Sequence, residues 1–118
     1  MKSIKEKYYL IDFWATWCVP CVAQFPALKS MYEQYYKRGF QIIGFSLDAE
    51  RSNLVNFLSA HDPGWMNLSD LKADQSELYA LFRLGTIPAN FLFDSSGIIV
   101  ATNISPEELR EFLKKELR

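Results

Sequence analysis

The sequence predicts an α/β domain in which helices cover both faces of a mixed central sheet. Short, nearly continuous apolar runs of strand length alternate with longer segments of helical spacing, the pattern of a layered α/β architecture. The chain has 118 residues, enough for one hydrophobic core and too few for a second. Its composition is that of a folded protein: 49% hydrophobic and 23% charged residues, with nine Phe, six Tyr and three Trp, supply the apolar area that a disordered chain lacks.

The first strand is Tyr8 to Trp14, an apolar run with aromatics that suits a strand covered on both faces. From Val19 to about Arg38 the spacing turns helical, with Cys21, Phe25, Leu28, Tyr32 and Tyr35 along one side and Gly39 fit to end the helix. Pro20 falls in the first turn, where a missing N–H is harmless, whereas Pro26 inside the helix removes a bond to the Val22 carbonyl and predicts a kink there. Phe40 to Ser46 is a second buried strand. A helix follows with Leu54, Phe57 and Leu58 on one face, stopped by Asp62-Pro63-Gly64.

Trp65 to Ser69 reads as a short edge strand, and Ser76 to Leu84 as a helix with Leu78, Leu81 and Phe82 at helical spacing before Gly85. Ala89 to Phe93 and Ile98 to Ala101 flank the turn Asp94-Ser95-Ser96-Gly97 and predict an antiparallel hairpin. Ser105, Pro106 and Glu108 then form the start signal of a last helix whose buried stripe is Leu109, Phe112, Leu113 and Leu117. Lys114, Lys115 and Arg118 complement the negative end of its dipole.

Charge and hydropathy exclude several functions. Thirteen basic residues nearly balance fourteen acidic ones, for a formal charge of -1, so no basic field favours nucleic acid or anionic lipid. The apolar run at Tyr8 to Ala15 contains Asp12 and is far short of the roughly 20 residues a membrane-spanning helix needs. Residues Met1 to Lys7 are not followed by the apolar region and cleavage site of a signal peptide. No repeat or linker divides the chain, so a single domain over residues 1–118 is expected.

The two cysteines, Cys18 and Cys21, stand together in Cys18-Val19-Pro20-Cys21, where a strand gives way to a helix. Free N–H groups at a helix start stabilise a thiolate on Cys18, and the thiolate is the nucleophile of thiol–disulfide exchange. Cys21, about one turn on, is within reach to attack the mixed disulfide, and Pro20 stiffens the turn between them. The competing readings are a zinc half-site, for which His61 is the lone histidine and no third cysteine exists, and a structural disulfide, which would constrain little chain across so short a gap.

Asp12-Phe13-Trp14-Ala15-Thr16-Trp17-Cys18-Val19-Pro20-Cys21 resembles the active-site segment of the thioredoxin superfamily, and Thr86-Ile87-Pro88 resembles its cis-proline loop. Phe25 to Leu28, Gly39 to Asp48, the extra segment at about 49–71, and Ile87 to Asp94 with Gly97 are similar to the bacterial TlpA-like and ResA-like thiol–disulfide oxidoreductases, a likeness covering about residues 8–117. The resemblance implies a thioredoxin-like fold, an exposed attacking thiol at Cys18 and a buried resolving thiol at Cys21. It implies that Pro88 is cis, with Ile87 offering backbone groups to an extended substrate, and that Trp17 covers the disulfide. Trp14 has two readings, a flank of the site or core packing.

Asp12 interrupts an apolar strand and matches the buried acid of thioredoxins. Burial would raise its pKa and let it exchange a proton with Cys21; a solvent-facing Asp on an edge strand is the alternative. The lysine that neighbours this acid in thioredoxins has no counterpart, because Gly44 stands at the equivalent point. Trp65, Met66 and Leu68 either border a substrate groove or belong to the core.

The leading functional reading is reduction of protein disulfides by a Cys18/Cys21 dithiol cycle that needs no cofactor or metal, with a protein disulfide or dithiol as substrate and an upstream redox partner. A thiol peroxidase is the second: Thr16 stands two residues before Cys18, where such peroxidases place a threonine three before and add an arginine. A non-catalytic binding module using Trp17 and Pro88 is the third. The resemblance further implies a periplasmic or otherwise extracytoplasmic monomer, the C-terminal domain of a longer exported protein.

Overall fold

The computed structural model describes residues 6–117. Arg118 and residues 1–5 lie outside them. The central sheet holds β1 (Tyr8–Trp14), β2 (Phe40–Ser46), β3 (Met66–Leu68), β4 (Ala89–Asp94) and β5 (Ile99–Thr102), in the order β3-β2-β1-β4-β5. β1 runs parallel to β2 and antiparallel to β4, β3 is parallel to β2, and β5 closes an antiparallel hairpin with β4. The sheet is therefore mixed, with β1 at its centre. A register shift at Leu92/Phe93 bulges the β4–β5 pairing, and the outer strand leaves Ile99 and Val100 exposed.

Alternation along β1 separates two cores. Leu10 and Trp14 point into a cluster with Cys21, Phe25, Leu28, Met31, Leu92, Leu109 and Leu113, whereas Phe13 joins Phe45, Leu47, Leu84 and Ala89 on the opposite face. The helices are shared unequally. α1 (Val19–Ala23), α2 (Phe25–Tyr35), α3 (Arg51–Ala60) and α5 (Pro106–Glu116) supply side chains to the first cluster, while α4 (Glu77–Leu81) supplies Leu78 and Tyr79 to the second.

The helix expected over Val19 to Arg38 is interrupted in the turn that precedes Pro26. The break falls at Gln24, which ends α1 and opens α2, so Pro26 sits in the first turn of a new helix where it is tolerated. The last turn, Tyr36–Arg38, tightens to a 3-10 helix, and Gly39 reverses the chain at φ 108°, a left-handed conformation that costs glycine little. α4 is shorter than expected, and Leu81 at its end is exposed rather than buried. Trp65 is core, against Phe25 and Tyr32. The final helix carries both halves of its capping box, Ser105 Oγ accepting from Glu108 N–H and Glu108 from Ser105 N–H. Among the described residues no helix is long and apolar enough to cross a membrane.

Candidate active site

Cys18 and Cys21 are joined by a disulfide, with their Cα atoms 5.3 Å apart. Cys18 is the N-cap of α1, and its Sγ accepts from the Cys21 N–H at 3.3 Å. With α1 only five residues long, what favours negative charge on this sulfur is the first-turn N–H itself more than a long helix dipole. In the closed disulfide Cys18 is 5% and Cys21 2% exposed, so the contrast between an exposed and a buried sulfur is small in this state. Pro20 lies exposed in the first turn of α1.

Trp17 leaves most of its ring in solvent, at 64% exposure. It lines an open groove of about 550 Å³ together with Leu47, Ala73, Asp74, Tyr79, Gly85, Thr86 and Ile87. Trp65, Met66 and Leu68 do not line this groove; Trp65 is interior, and Met66 and Leu68 face solvent on β3. The Ile87-Pro88 peptide is cis and leads directly into β4. Since Phe13 pairs with Ala89, antiparallel pairing carries Pro88 to the end of β1 from which the Cys18 loop departs. Trp17, Ile87 and the cysteine pair thus converge at one end of the central strands, although they come from distant parts of the sequence.

Asp12 stands in the central strand at 2% exposure, which removes the edge-strand reading. It shares a β1 face with Leu10 and Trp14, the face covered by the cluster that contains Cys21. Burial pushes its carboxyl up to about 7. Its partners in register are Gly44 on β2 and Asn90 on β4, neither of which brings a charge. Gly44 is kept small by its surroundings: a Cβ there would collide with Asn67 Oδ1, the atom that accepts the Trp14 indole N–H at 2.9 Å. Trp14 is core, wholly buried and tied to β3 by that bond.

One buried acid escapes a reading of the sequence, where it looks like a loop residue after a strand. Asp48 is 1% exposed and accepts from the Thr16 hydroxyl at 2.6 Å, the Thr16 N–H at 3.2 Å and the Ser46 hydroxyl at 2.5 Å. The signal was a polar Ser46-Leu47-Asp48 step at the exit of an otherwise apolar strand.

A family model matches residues 1–102, that of the AhpC/TSA family. The chain belongs to the AhpC/TSA family. Within the family's range it is similar to thiol-disulfide oxidoreductase ResA of Bacillus cereus, at 28% identity over 98% of this chain and 66% of the relative, so it spans about two thirds of that protein's length. Among solved structures it resembles a thiol-disulfide oxidoreductase from Bacteroides fragilis, at 31% identity and a TM-score of 0.86, covering 94% of this chain and 82% of the other. It also resembles the thioredoxin domain of a thiol-disulfide oxidoreductase from Bacteroides vulgatus, at 25% identity and a TM-score of 0.89, covering all of this chain and 84% of the other. This AhpC/TSA chain has the thioredoxin-like fold, and its likeness is to the TlpA/ResA branch of the thioredoxin superfamily.

Proposed function

We propose that this chain is a thiol–disulfide oxidoreductase that reduces protein disulfides by cycling Cys18 and Cys21. The observation that carries the reading is the disulfide across the first turn of α1 with Cys18 at the N-cap, beside the groove lined by Trp17 and Ile87. In the dithiol form, the Cys18 thiolate attacks one sulfur of a substrate disulfide and expels the other as a thiolate. Cys21 then gives its proton to the Asp12 carboxylate and attacks Cys18 Sγ. The second substrate thiolate leaves, and two electrons have passed to the substrate. An upstream dithiol partner restores the reduced pair, and no cofactor enters the cycle.

Asp12 suits the proton transfer because a carboxyl titrating at about 7 exchanges protons readily at neutral pH. Ile87 and Pro88 form one wall for an extended substrate segment, Trp17 offers an apolar face to it, and Pro20 keeps the turn between the sulfurs rigid. Peroxide chemistry fits less well: the Thr16 hydroxyl is already committed to Asp48 and so is not free to polarise a peroxide. An extracytoplasmic location, as a monomeric domain of a longer exported protein, belongs to the same proposal.

Reduction of insulin by the dithiol form, with Cys18→Ser as control, tests the activity, and Cys21→Ala is expected to accumulate a mixed disulfide through Cys18. A reduced chain that leaves insulin intact yet consumes hydrogen peroxide would replace this reading with the peroxidase.

A further inference from the structure

We infer that Asp48 is a positioning residue for the redox site, a buried clamp that fixes the loop carrying Cys18 through Thr16. Burying a carboxylate away from water is costly unless donors satisfy it. Here the donors converge from both sides of one gap. Thr16, two residues before Cys18, gives Asp48 its N–H and its hydroxyl, while Ser46 at the end of β2 gives the other carboxylate oxygen its hydroxyl. The Asp48 N–H returns a bond to Ser46 Oγ at 3.0 Å, which locks the carboxylate's own backbone.

The clamp holds the one half-exposed residue between two buried ones, Ala15 and Cys18. Between the last residue of β1 and the N-cap of α1, the neighbouring restraints are Leu47 N–H to the Trp14 carbonyl at 2.7 Å and Cys18 N–H to the Ala15 carbonyl at 3.1 Å. Thr16 lies between those two bonds, and Trp17 after it stands in solvent. Holding Thr16 holds the approach of Cys18 to the start of α1, and with it the alignment of its sulfur with the Cys21 N–H and Cys21 Sγ. Preorganising one sulfur against the other raises its effective concentration and so favours the disulfide. A hydrogen bond to a charged acceptor is among the stronger ones, which gives the Thr16 hydroxyl a share large enough to measure.

The test is the equilibrium between the Cys18–Cys21 couple and dithiothreitol, read together with thermal unfolding. Thr16→Val removes the hydroxyl leg while leaving Asp48 its Ser46 partner, and it should lower the equilibrium constant for disulfide formation by about fivefold, the worth of roughly one hydrogen bond. Asp48→Asn should lower it by at least as much, and Thr16→Ser, which keeps the hydroxyl, should stay within about twofold of the unaltered protein on the same scale. If Asp48→Asn fails to fold, Thr16→Val decides.

An equilibrium constant unchanged in Thr16→Val, whatever its melting temperature, would reduce Asp48 to a fold anchor, and a Thr16→Ser shift as large as that of Thr16→Val would remove the hydroxyl from the clamp. The inference rests on a redox-active Cys18–Cys21 pair. An unaltered chain that never forms that disulfide would sink the oxidoreductase reading instead, so the two failures are separable.

Discussion

Replacing Asp12 with asparagine leaves the shape of the strand nearly unchanged and removes one ionisation. In the folded chain the carboxyl titrates at about 7, because burial disfavours its charged form, against 3.8 as the ordinary value. The folded state therefore holds this proton more tightly than the unfolded state. The stability tied to it is fully present below about pH 4, declines as pH rises toward 7 and is gone above that. Since a tenfold change in proton affinity is worth about 1.4 kcal/mol, the full cost of ionising Asp12 in place is roughly 4 kcal/mol, a ceiling that structural relaxation lowers.

Between pH 5 and pH 8 the linkage relation gives a loss of roughly 2–3 kcal/mol from this one group. The asparagine of the Asp12→Asn variant carries no such dependence. Guanidinium unfolding of the disulfide form at those two pH values, where the cysteines do not titrate, should show the variant gaining on the unaltered protein by that amount at pH 8 relative to pH 5. Comparing the difference across pH cancels any constant effect of the new amide. A difference that stays constant to within about 0.5 kcal/mol, well under the linkage value, would refute the account of Asp12 as a buried carboxyl titrating near neutrality.

Three further outcomes follow from packing. Gly44→Ala should cost roughly 1–3 kcal/mol in urea unfolding, since the new methyl displaces Asn67 and leaves the buried Trp14 indole N–H without its acceptor. Trp65→Phe should fall within about 1 kcal/mol of the unaltered protein, because the lost ring area is offset by removing an indole N–H that is buried without a partner among the described residues. Ser105→Ala, which opens the capping box of α5, should lower stability by about 1 kcal/mol, visible as a shift in the denaturant midpoint at constant slope.

The central strands and the last helix were legible because hydrophobic periodicity and capping chemistry are local signals. β1 and β2 begin and end where their apolar runs do, and Ser105 with Glu108 marks the start of α5. The break at Gln24 was not legible in the same way, because Pro26 announces an interruption without telling whether it kinks one helix or begins another. Leu81 misleads for a related reason: its helical spacing is real, but α4 ends there and the side chain has no core to meet.

Within the site, the cysteine pair was read from spacing alone. The groove required tertiary structure, since Asp74 and Tyr79 meet Trp17 only after the chain has crossed the sheet. Asp48 was hidden because a polar residue after a strand ordinarily means solvent, and its two hydroxyl donors, Thr16 and Ser46, stand far apart in the sequence.

The bulge in the outer hairpin bears on how these molecules behave when crowded. β5 is an edge with apolar side chains turned to water, a surface on which a foreign strand could grow. The shift at Leu92/Phe93 interrupts the even spacing of the strand, so an approaching chain meets two short, misaligned stretches in place of a continuous ladder. The edge of the sheet far from β3 is thus blunted against strand addition by an irregular step in its pairing, apart from the cysteine pair.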